Sequence, residues 1–233
     1  MPHSLKRPPV IVPDQDCILA IDCCFDSCSA AVFDGTRIRA SAFERMQRGQ
    51  AERLTAMVAE VLEAAGDDIR IARLAVTTGP GTFTGVRIGL SFARAFALAR
   101  SVSCIGLSAL EAVALAGGIE GVRAGVFPAP QGVYLALFRN GAPIMAPALL
   151  SLEAARKALP RSPILLAGSG AELLAEGVGG EITVGGPDLP DAQDVARLAF
   201  HRPAPDAPPS PLYLRAPDIR PPKNLRRTLD SQA

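Results

Sequence analysis

The chain has 233 residues, of which 48% are hydrophobic and 20% are charged, so it can bury a core and is not a wholly disordered protein. Its 24 basic residues nearly balance 23 acidic ones, which argues against a surface built throughout to bind nucleic-acid phosphates, although it leaves room for a local basic patch. The sequence contains no apolar core of a signal peptide and no run of about 20 apolar residues that could span a membrane. These features predict a cytoplasmic protein.

The cysteines are predicted to be small buried thiols. An odd number of cysteines does not suggest a disulfide framework, and only Cys24 and Cys28 approach the spacing of paired zinc ligands. The sequence therefore predicts no metal site. The five cysteines are Cys17, Cys23, Cys24, Cys28 and Cys104.

The first half of the chain alternates strand and helix patterns. A short apolar run at 17–22 and the turn signal Asp34-Gly35 predict an opening β-hairpin or meander. Apolar residues three and four apart predict a helix over Ala51–Ala65, and a second helix, Arg87–Arg100, follows a buried strand at 73–78. Hairpin-paired strands followed by helical crossovers predict a mixed sheet.

The second half partly repeats this pattern. It has short apolar strands before the turn signal Asn140-Gly141 and helical segments after it, which suggests a duplicated α/β fold. Eight prolines after residue 202 predict an extended, partly disordered tail. The predicted divisions are a disordered extension at 1–16, an N-terminal α/β lobe at 17–117, a smaller C-terminal α/β lobe at 118–202 and the proline-rich tail at 203–233.

A glycine-rich loop, GPGTFTG, joins the strand at 73–78 to the second helix. Such a loop can present N–H groups to an anion, but it has no lysine, and it fits neither the phosphate-loop nor the dinucleotide template. Tight packing of strand against helix is the favoured interpretation, with Gly79, Gly81 and Gly85 as structural residues. Asp22, at the end of the first strand, either forms a turn or could hold a metal or orient a water, and the turn is favoured.

Six segments stand in an order that resembles the TsaB (YeaZ) family of tRNA threonylcarbamoyladenosine synthesis. The resemblance is good over about residues 17–140 and returns near the end of the chain. The segments are AIDCCFDSCSAAVFDG, QAERLTAMVAEVLEAAG, TGPGTFTGVRIGLSFARAFALA, IGLSALEAVA, GVYLALF and PLYLRAPD.

The resemblance implies an actin-like/Hsp70-like ATPase (ribonuclease H-like) fold, with two related lobes of mixed β-sheets flanked by helices. It implies a non-catalytic subunit, without a cofactor, of the complex that adds a threonylcarbamoyl group to N6 of the adenosine beside the anticodon, in tRNAs reading codons that start with A. Such a subunit binds and activates the catalytic paralogue TsaD, is joined by the small ATPase TsaE, and meets tRNA only through the complex. Whether the chain forms a homodimer without its partner is left open.

The family's interface with TsaD is formed by the helices that match Ala51–Ala65 and Arg87–Arg100. Both helices here pair an apolar stripe with charged residues, as partner-binding helices often do. The predicted interface residues are Leu54, Met57, Val61, Arg87, Leu90 and Arg94.

The sequence departs from the family pattern at polar positions near the cleft. Asp22 is followed by Cys23-Cys24-Phe25 where the family commonly has Thr-Ala-Thr, Gln50-Ala51-Glu52 replaces His-Ser-Glu, and Phe127-Pro128-Ala129 replaces Asp-Ala-Arg. These losses make a nucleotide or metal site less expected.

Two enzymatic alternatives remain open. A nucleotide-binding enzyme with its own ATPase activity needs a complete phosphate loop and a catalytic acid. The loop is incomplete here, and Asp22 is the only candidate for the acid. A metallopeptidase needs a histidine pair, whereas His3 and His201 lie in the two tails.

Overall fold

The computed structural model describes residues 15–214. The first half forms one five-stranded sheet with three helices. Its elements are β1 (Gln15–Asp22), β2 (Ser27–Phe33), β3 (Ile38–Arg45), α1 (Gln50–Ala65), β4 (Ile69–Thr77), α2 (Phe83–Arg100), β5 (Ser103–Leu107) and α3 (Ala109–Ala114).

The second half forms another five-stranded sheet with three helices. Its elements are β6 (Val122–Ala129), β7 (Gly132–Arg139), β8 (Ala142–Leu150), α4 (Leu152–Ala158), β9 (Ile164–Ala167), α5 (Ala171–Ala175), β10 (Ile182–Val184) and α6 (Ala192–Phe200).

The two sheets have the same topology. The first has the strand order β3-β2-β1-β4-β5 and the second β8-β7-β6-β9-β10. In each sheet the first three strands are antiparallel neighbours, and the last two join in parallel after helical crossovers. The predicted duplication and mixed sheets are confirmed, as are the helices α1 and α2.

The helix α2 begins earlier than the sequence predicted. The Thr82 side chain caps it by accepting a hydrogen bond from the Gly85 N–H at 3.1 Å, so the helix starts at Phe83 rather than at Arg87. The last glycine of the glycine-rich loop therefore lies in the first turn of the helix. Serine caps of the same kind begin α3 and α4.

The two halves are interlocked by helices that pack across the predicted division. Leu110 of α3 packs so closely on β6 that a Cβ added at Gly125 would lie 2.0 Å from the Leu110 carbonyl oxygen. The buried face of α6 packs against β1 and β2 of the first sheet. The division at residue 118 thus separates the two sheets but not the helices that cover them.

The described part of the proline-rich tail is packed against the first half. Residues 203–214, here called the strap, form neither helix nor strand. The Leu212 N–H donates to the Thr78 carbonyl oxygen at 2.8 Å, and Pro209 lies against Gly106 of β5. The strap is thus attached to the first half; residues 1–14 and 215–233 lie outside the described residues. Between residues 15 and 214, the helices are all too short or too polar to cross a membrane.

Candidate partner-binding surface

The apolar residues predicted to bind a partner lie inside the chain's own core. Leu54, Met57, Val61 and Leu90 are each no more than 3% exposed and belong to the cluster formed with the first sheet. A partner could reach Met57, Val61 and Leu90 only if the helices left the sheet, whereas Leu54 also lines the groove between the two helices. The prediction that these residues contact a partner is corrected for a simple physical reason. An apolar stripe identifies the buried face of a helix, but it does not show which neighbour buries that face.

An open groove of about 530 Å³ lies between α1 and α2. Two of the predicted interface residues, Leu54 and Arg87, line it. The other lining residues include Ala51 and Thr55 of α1 and Ile88, Ser91 and Phe92 of α2. Ile88 and Phe92 are half-buried, so the groove offers apolar surface, while the small side chains of α1 leave room for another helix.

An exposed cluster of aromatic and cationic groups stands at one end of the groove. The Arg87 guanidinium carbon lies 3.5 Å from the centre of the Phe83 ring, and the Tyr213 ring stacks on Phe83 with centroids 5.8 Å apart. Arg87 Nε also donates to the Tyr213 hydroxyl at 3.1 Å. Phe83 and Tyr213 are both 48% exposed. The predicted residue Arg87 is thus at the surface, but it is held by the strap.

Arg94 contacts the strap. Its Nε and Nη2 donate to the Pro209 carbonyl oxygen at 3.2 and 2.6 Å. Of the six predicted interface residues, therefore, four lie in the core and two contact the strap, and Leu54 and Arg87 also line the groove. The sequence analysis missed the strap, although one of the chain's two tyrosines, within a segment otherwise rich in proline, could have indicated an anchored stretch.

An ion-pair network fixes α1 to the sheet edge. Arg53 donates to Glu44 of β3 at 2.6 Å and to Glu60, two turns further along α1, at 2.8 Å. Hydrogen bonds from this guanidinium lower the pKa of both carboxyl groups. These ion pairs help to hold α1, which lines one side of the groove, in a fixed orientation against the sheet.

The glycines of the loop permit close approach to the turn between β1 and β2. An added Cβ would lie 2.2 Å from the Cys24 carbonyl oxygen at Gly81 and 2.0 Å from the Cys23 carbonyl oxygen at Gly85. Gly79 has φ +110°, a backbone conformation that favours glycine. The Thr82 N–H donates to the Cys24 carbonyl oxygen at 2.7 Å, so this loop donor is used within the chain. These contacts support the structural interpretation of the loop.

Asp22 is fully buried beneath this loop. Its Oδ1 accepts hydrogen bonds from the Thr77 hydroxyl and, at 3.3 Å, from the Cys24 N–H, whereas its Oδ2 has no hydrogen-bond partner among the described residues. Burial raises the pKa of Asp22 to about 6. Such a carboxyl group holds the turn, which agrees with the favoured interpretation, and it has no exposed surface.

Two residues that depart from the family pattern contact each other. The Phe25 and Phe127 rings pack with centroids 4.1 Å apart and an interplanar angle of 31°. Phe127 is fully buried and belongs to the first core cluster, so these two positions carry an apolar aromatic pair. In the described part of the chain, no three His, Cys, Asp or Glu side chains are arranged to hold a metal ion. Of the two histidines, His201 follows α6 and His3 lies outside the described residues.

The chain matches known proteins over part of its length. Residues 44–136 match the family model described as TsaD: tRNA N6-adenosine threonylcarbamoyltransferase. The chain is 39% identical over 98 residues to the tRNA threonylcarbamoyladenosine biosynthesis protein TsaB of Escherichia coli, and that match covers 42% of each chain. It is 32% identical over 115 residues to the tRNA N6-adenosine threonylcarbamoyltransferase of Halalkalibacterium halodurans, covering 42% of this chain and 34% of that protein. The chain thus spans less than half the length of these relatives.

Solved structures match over a longer stretch. YeaZ from Pseudomonas aeruginosa has a TM-score of 0.67 and 27% identity, covering 79% of this chain and 91% of its own. A protein from the same organism described as similar to peptidase YeaZ has a TM-score of 0.72 and 27% identity, covering 86% of this chain and 100% of its own. These likenesses extend over both sheets, beyond the stretch that the sequence comparisons cover.

Proposed function

Because this chain belongs to the TsaB (YeaZ) family, we propose that it is the non-catalytic subunit of the complex that adds a threonylcarbamoyl group to tRNA. The group is placed on N6 of the adenosine beside the anticodon, in tRNAs that read codons starting with A. In this proposal the chain works in the cytoplasm, binds the catalytic paralogue TsaD and activates it. The small ATPase TsaE joins the pair, and tRNA is reached only through the complex.

The observation that carries the proposal is the groove between α1 and α2. Both helices fall within residues 44–136, the stretch that matches the threonylcarbamoyltransferase family model. A paralogue with a related helix pair could lay it across this groove, and the small residues Ala51 and Thr55 would allow the backbones to approach closely. Half-buried Ile88 and Phe92 would supply the apolar area on which such contacts depend.

The non-catalytic part of the proposal is supported by the burial of Asp22 and by the aromatic pair of Phe25 and Phe127. The glycine-rich loop packs on the turn that follows Asp22, and the carboxyl group has no exposed surface. Phosphoryl or acyl transfer needs charged groups that face the reacting atoms. An enzyme with its own ATPase activity is therefore less well supported than a subunit that shifts the conformation of a partner.

The experiment is a binding measurement between the purified chain and TsaD. Ala51→Glu places a bulky charge at the groove, in the first turn of α1, where the helix dipole favours an acidic residue. We expect affinity to fall about tenfold or more, while the fold is retained. Ala64→Glu is the matched control, because Ala64 is exposed on another face near the end of the same helix. Equal affinities for Ala51→Glu and the unmodified chain would place the interface elsewhere.

A further inference from the structure

Two cysteines face each other next to the turn that connects β1 and β2. Antiparallel pairing of β1 with β2 runs to Asp22 opposite Ser29, and one further step in this register places Cys23 opposite Cys28. Their sulfur atoms lie 3.6 Å apart. Directly opposed residues in antiparallel strands have Cα atoms about 4.5–5.5 Å apart, within the range that a disulfide spans. A small movement of the side chains would join these sulfurs.

The neighbouring thiol is engaged elsewhere. The Cys24 thiol donates to the Thr77 hydroxyl oxygen at 3.1 Å, on the side of the strand that holds Asp22. Cys104 lies on β5, two strands away from β1. Cys23 and Cys28 are thus set apart as a pair by position and by contact.

The two sulfurs of the pair differ in acidity. The pKa of Cys28 is lowered by the hydrogen bond between Cys28 and the Cys23 thiol and by the charge of nearby Arg53, although burial acts in the opposite direction. The same hydrogen bond and burial raise the pKa of Cys23. Thiolates are the reactive form of cysteine, so Cys28 is the sulfur suited to attack first.

We propose that Cys23 and Cys28 are a modification site, at which a small peroxide converts the two thiols into an intramolecular disulfide. The Cys28 thiolate attacks one oxygen of hydrogen peroxide; the S–O bond forms, the O–O bond breaks, and the departing hydroxide takes up the proton that Cys28 released, giving water. The Cys23 sulfur then attacks the sulfur of the Cys28 sulfenic acid; the S–S bond forms, the S–O bond breaks, and the second hydroxide leaves as water with the Cys23 proton. The two thiols supply the two electrons that reduce the peroxide.

Peroxide reaches the buried pair when the turn between β1 and β2 opens. Both cysteines are no more than 1% exposed, but the turn that follows Cys23 includes the exposed Asp26 and the half-buried Phe25. The contact of Phe25 with Phe127 holds this turn closed. Phe25→Ala should therefore accelerate oxidation, because local opening limits the reaction.

The test treats the folded full-length chain with hydrogen peroxide, blocks the remaining thiols and digests the chain before aspartate residues. Cleavage at Asp22, Asp26 and Asp34 separates a peptide with Cys23 and Cys24 from one with Cys28. We expect these two peptides joined, with a mass about 2 Da below their sum, and separated again by dithiothreitol.

Variants in which one cysteine at a time is replaced by alanine identify the partner of Cys28. The joined peptides should persist in Cys24→Ala and Cys104→Ala and disappear in Cys23→Ala. Their persistence in Cys23→Ala, or sulfinic and sulfonic acids in place of a disulfide in the unmodified chain, would overturn the proposal. Thiols that stay unreacted in the folded chain, at a peroxide concentration that oxidises the guanidinium-unfolded chain, would overturn it too. The measurement on the unmodified chain decides the matter even if a variant fails to fold.

Discussion

The Phe25 ring packs on the Phe127 ring, with centroids 4.1 Å apart, and so joins the first hairpin to β6 of the second half. Phe127 belongs to the same core cluster as residues of α1, α2 and the first sheet. The contact therefore couples the two halves through their common core, in the space where the family pattern has polar residues.

Phe127→Ala should lower the free energy of unfolding by about 3–5 kcal/mol, the usual cost of removing a fully buried phenylalanine ring. Phe25→Ala should cost less, because Phe25 is only half-buried. In chemical denaturation, the double variant should be more stable than the sum of the single losses predicts, by about 0.5–1.5 kcal/mol. Strictly additive losses would show that the rings are not coupled.

Arg94→Ala should loosen the strap around Pro209, while Tyr213 still contacts Phe83 and Arg87, and should leave partner binding nearly unchanged. The change removes two hydrogen bonds to the Pro209 carbonyl oxygen, so we expect faster proteolytic cleavage within 203–214 and a loss of stability of about 1 kcal/mol. Arg100→Ala, an exposed arginine in the last turn of the same helix, is the control. A large loss of affinity for TsaD with an intact strap would restore Arg94 to the interface.

Gly85→Ala should destabilise the chain by about 2 kcal/mol or more, although alanine is the better helix former. The new Cβ would lie 2.0 Å from the backbone oxygen of Cys23, which must move. Gly179→Ala provides the comparison, since the space around Gly179 is open. Thermal unfolding of the two variants decides, and an unchanged melting temperature for Gly85→Ala would contradict the packing role of the loop.

Asp22→Asn should flatten the pH dependence of stability. In the folded unmodified chain the pKa of Asp22 is about 6, above the ordinary value of 3.8. Folding therefore takes up a proton at pH values between these two pKa values. The free energy of unfolding of the unmodified chain should fall as pH rises through this window, by at most about 3 kcal/mol, and remain lower above it. Denaturation of both proteins between about pH 4 and pH 7 isolates this effect, because the other groups are common to both. Parallel curves would show that Asp22 titrates normally.

Local patterns predicted much of this architecture. Apolar spacing at Leu54 and Met57 located α1, and the Asp34-Gly35 and Asn140-Gly141 turns indicated the two hairpins whose sheets repeat one topology. Spacing alone could not show that Met57 packs in the core with the first sheet rather than against a partner, because any apolar neighbour satisfies an apolar stripe.

Contacts between segments that are distant along the chain could not be predicted from the sequence. Arg94 and Pro209 are 115 residues apart, and the arginine face that indicated a partner is instead occupied by the chain's own strap. The pairing of Phe25 with Phe127 likewise joins two departures that sequence analysis noted separately. Each depends on the packing of one half against the other, which no local pattern encodes.

The most direct test of the proposed function is reconstitution of tRNA modification. TsaC, TsaD, TsaE, threonine, bicarbonate, ATP and an anticodon stem with the target adenosine are incubated with this chain, without it, or with Asp22→Ala. We expect that omitting the chain abolishes the modified nucleoside. We also expect that Asp22→Ala, once shown by circular dichroism to be folded and by gel filtration to assemble with TsaD, retains most of the product. Full product without the chain, or a large loss with assembled Asp22→Ala, would contradict the proposed function.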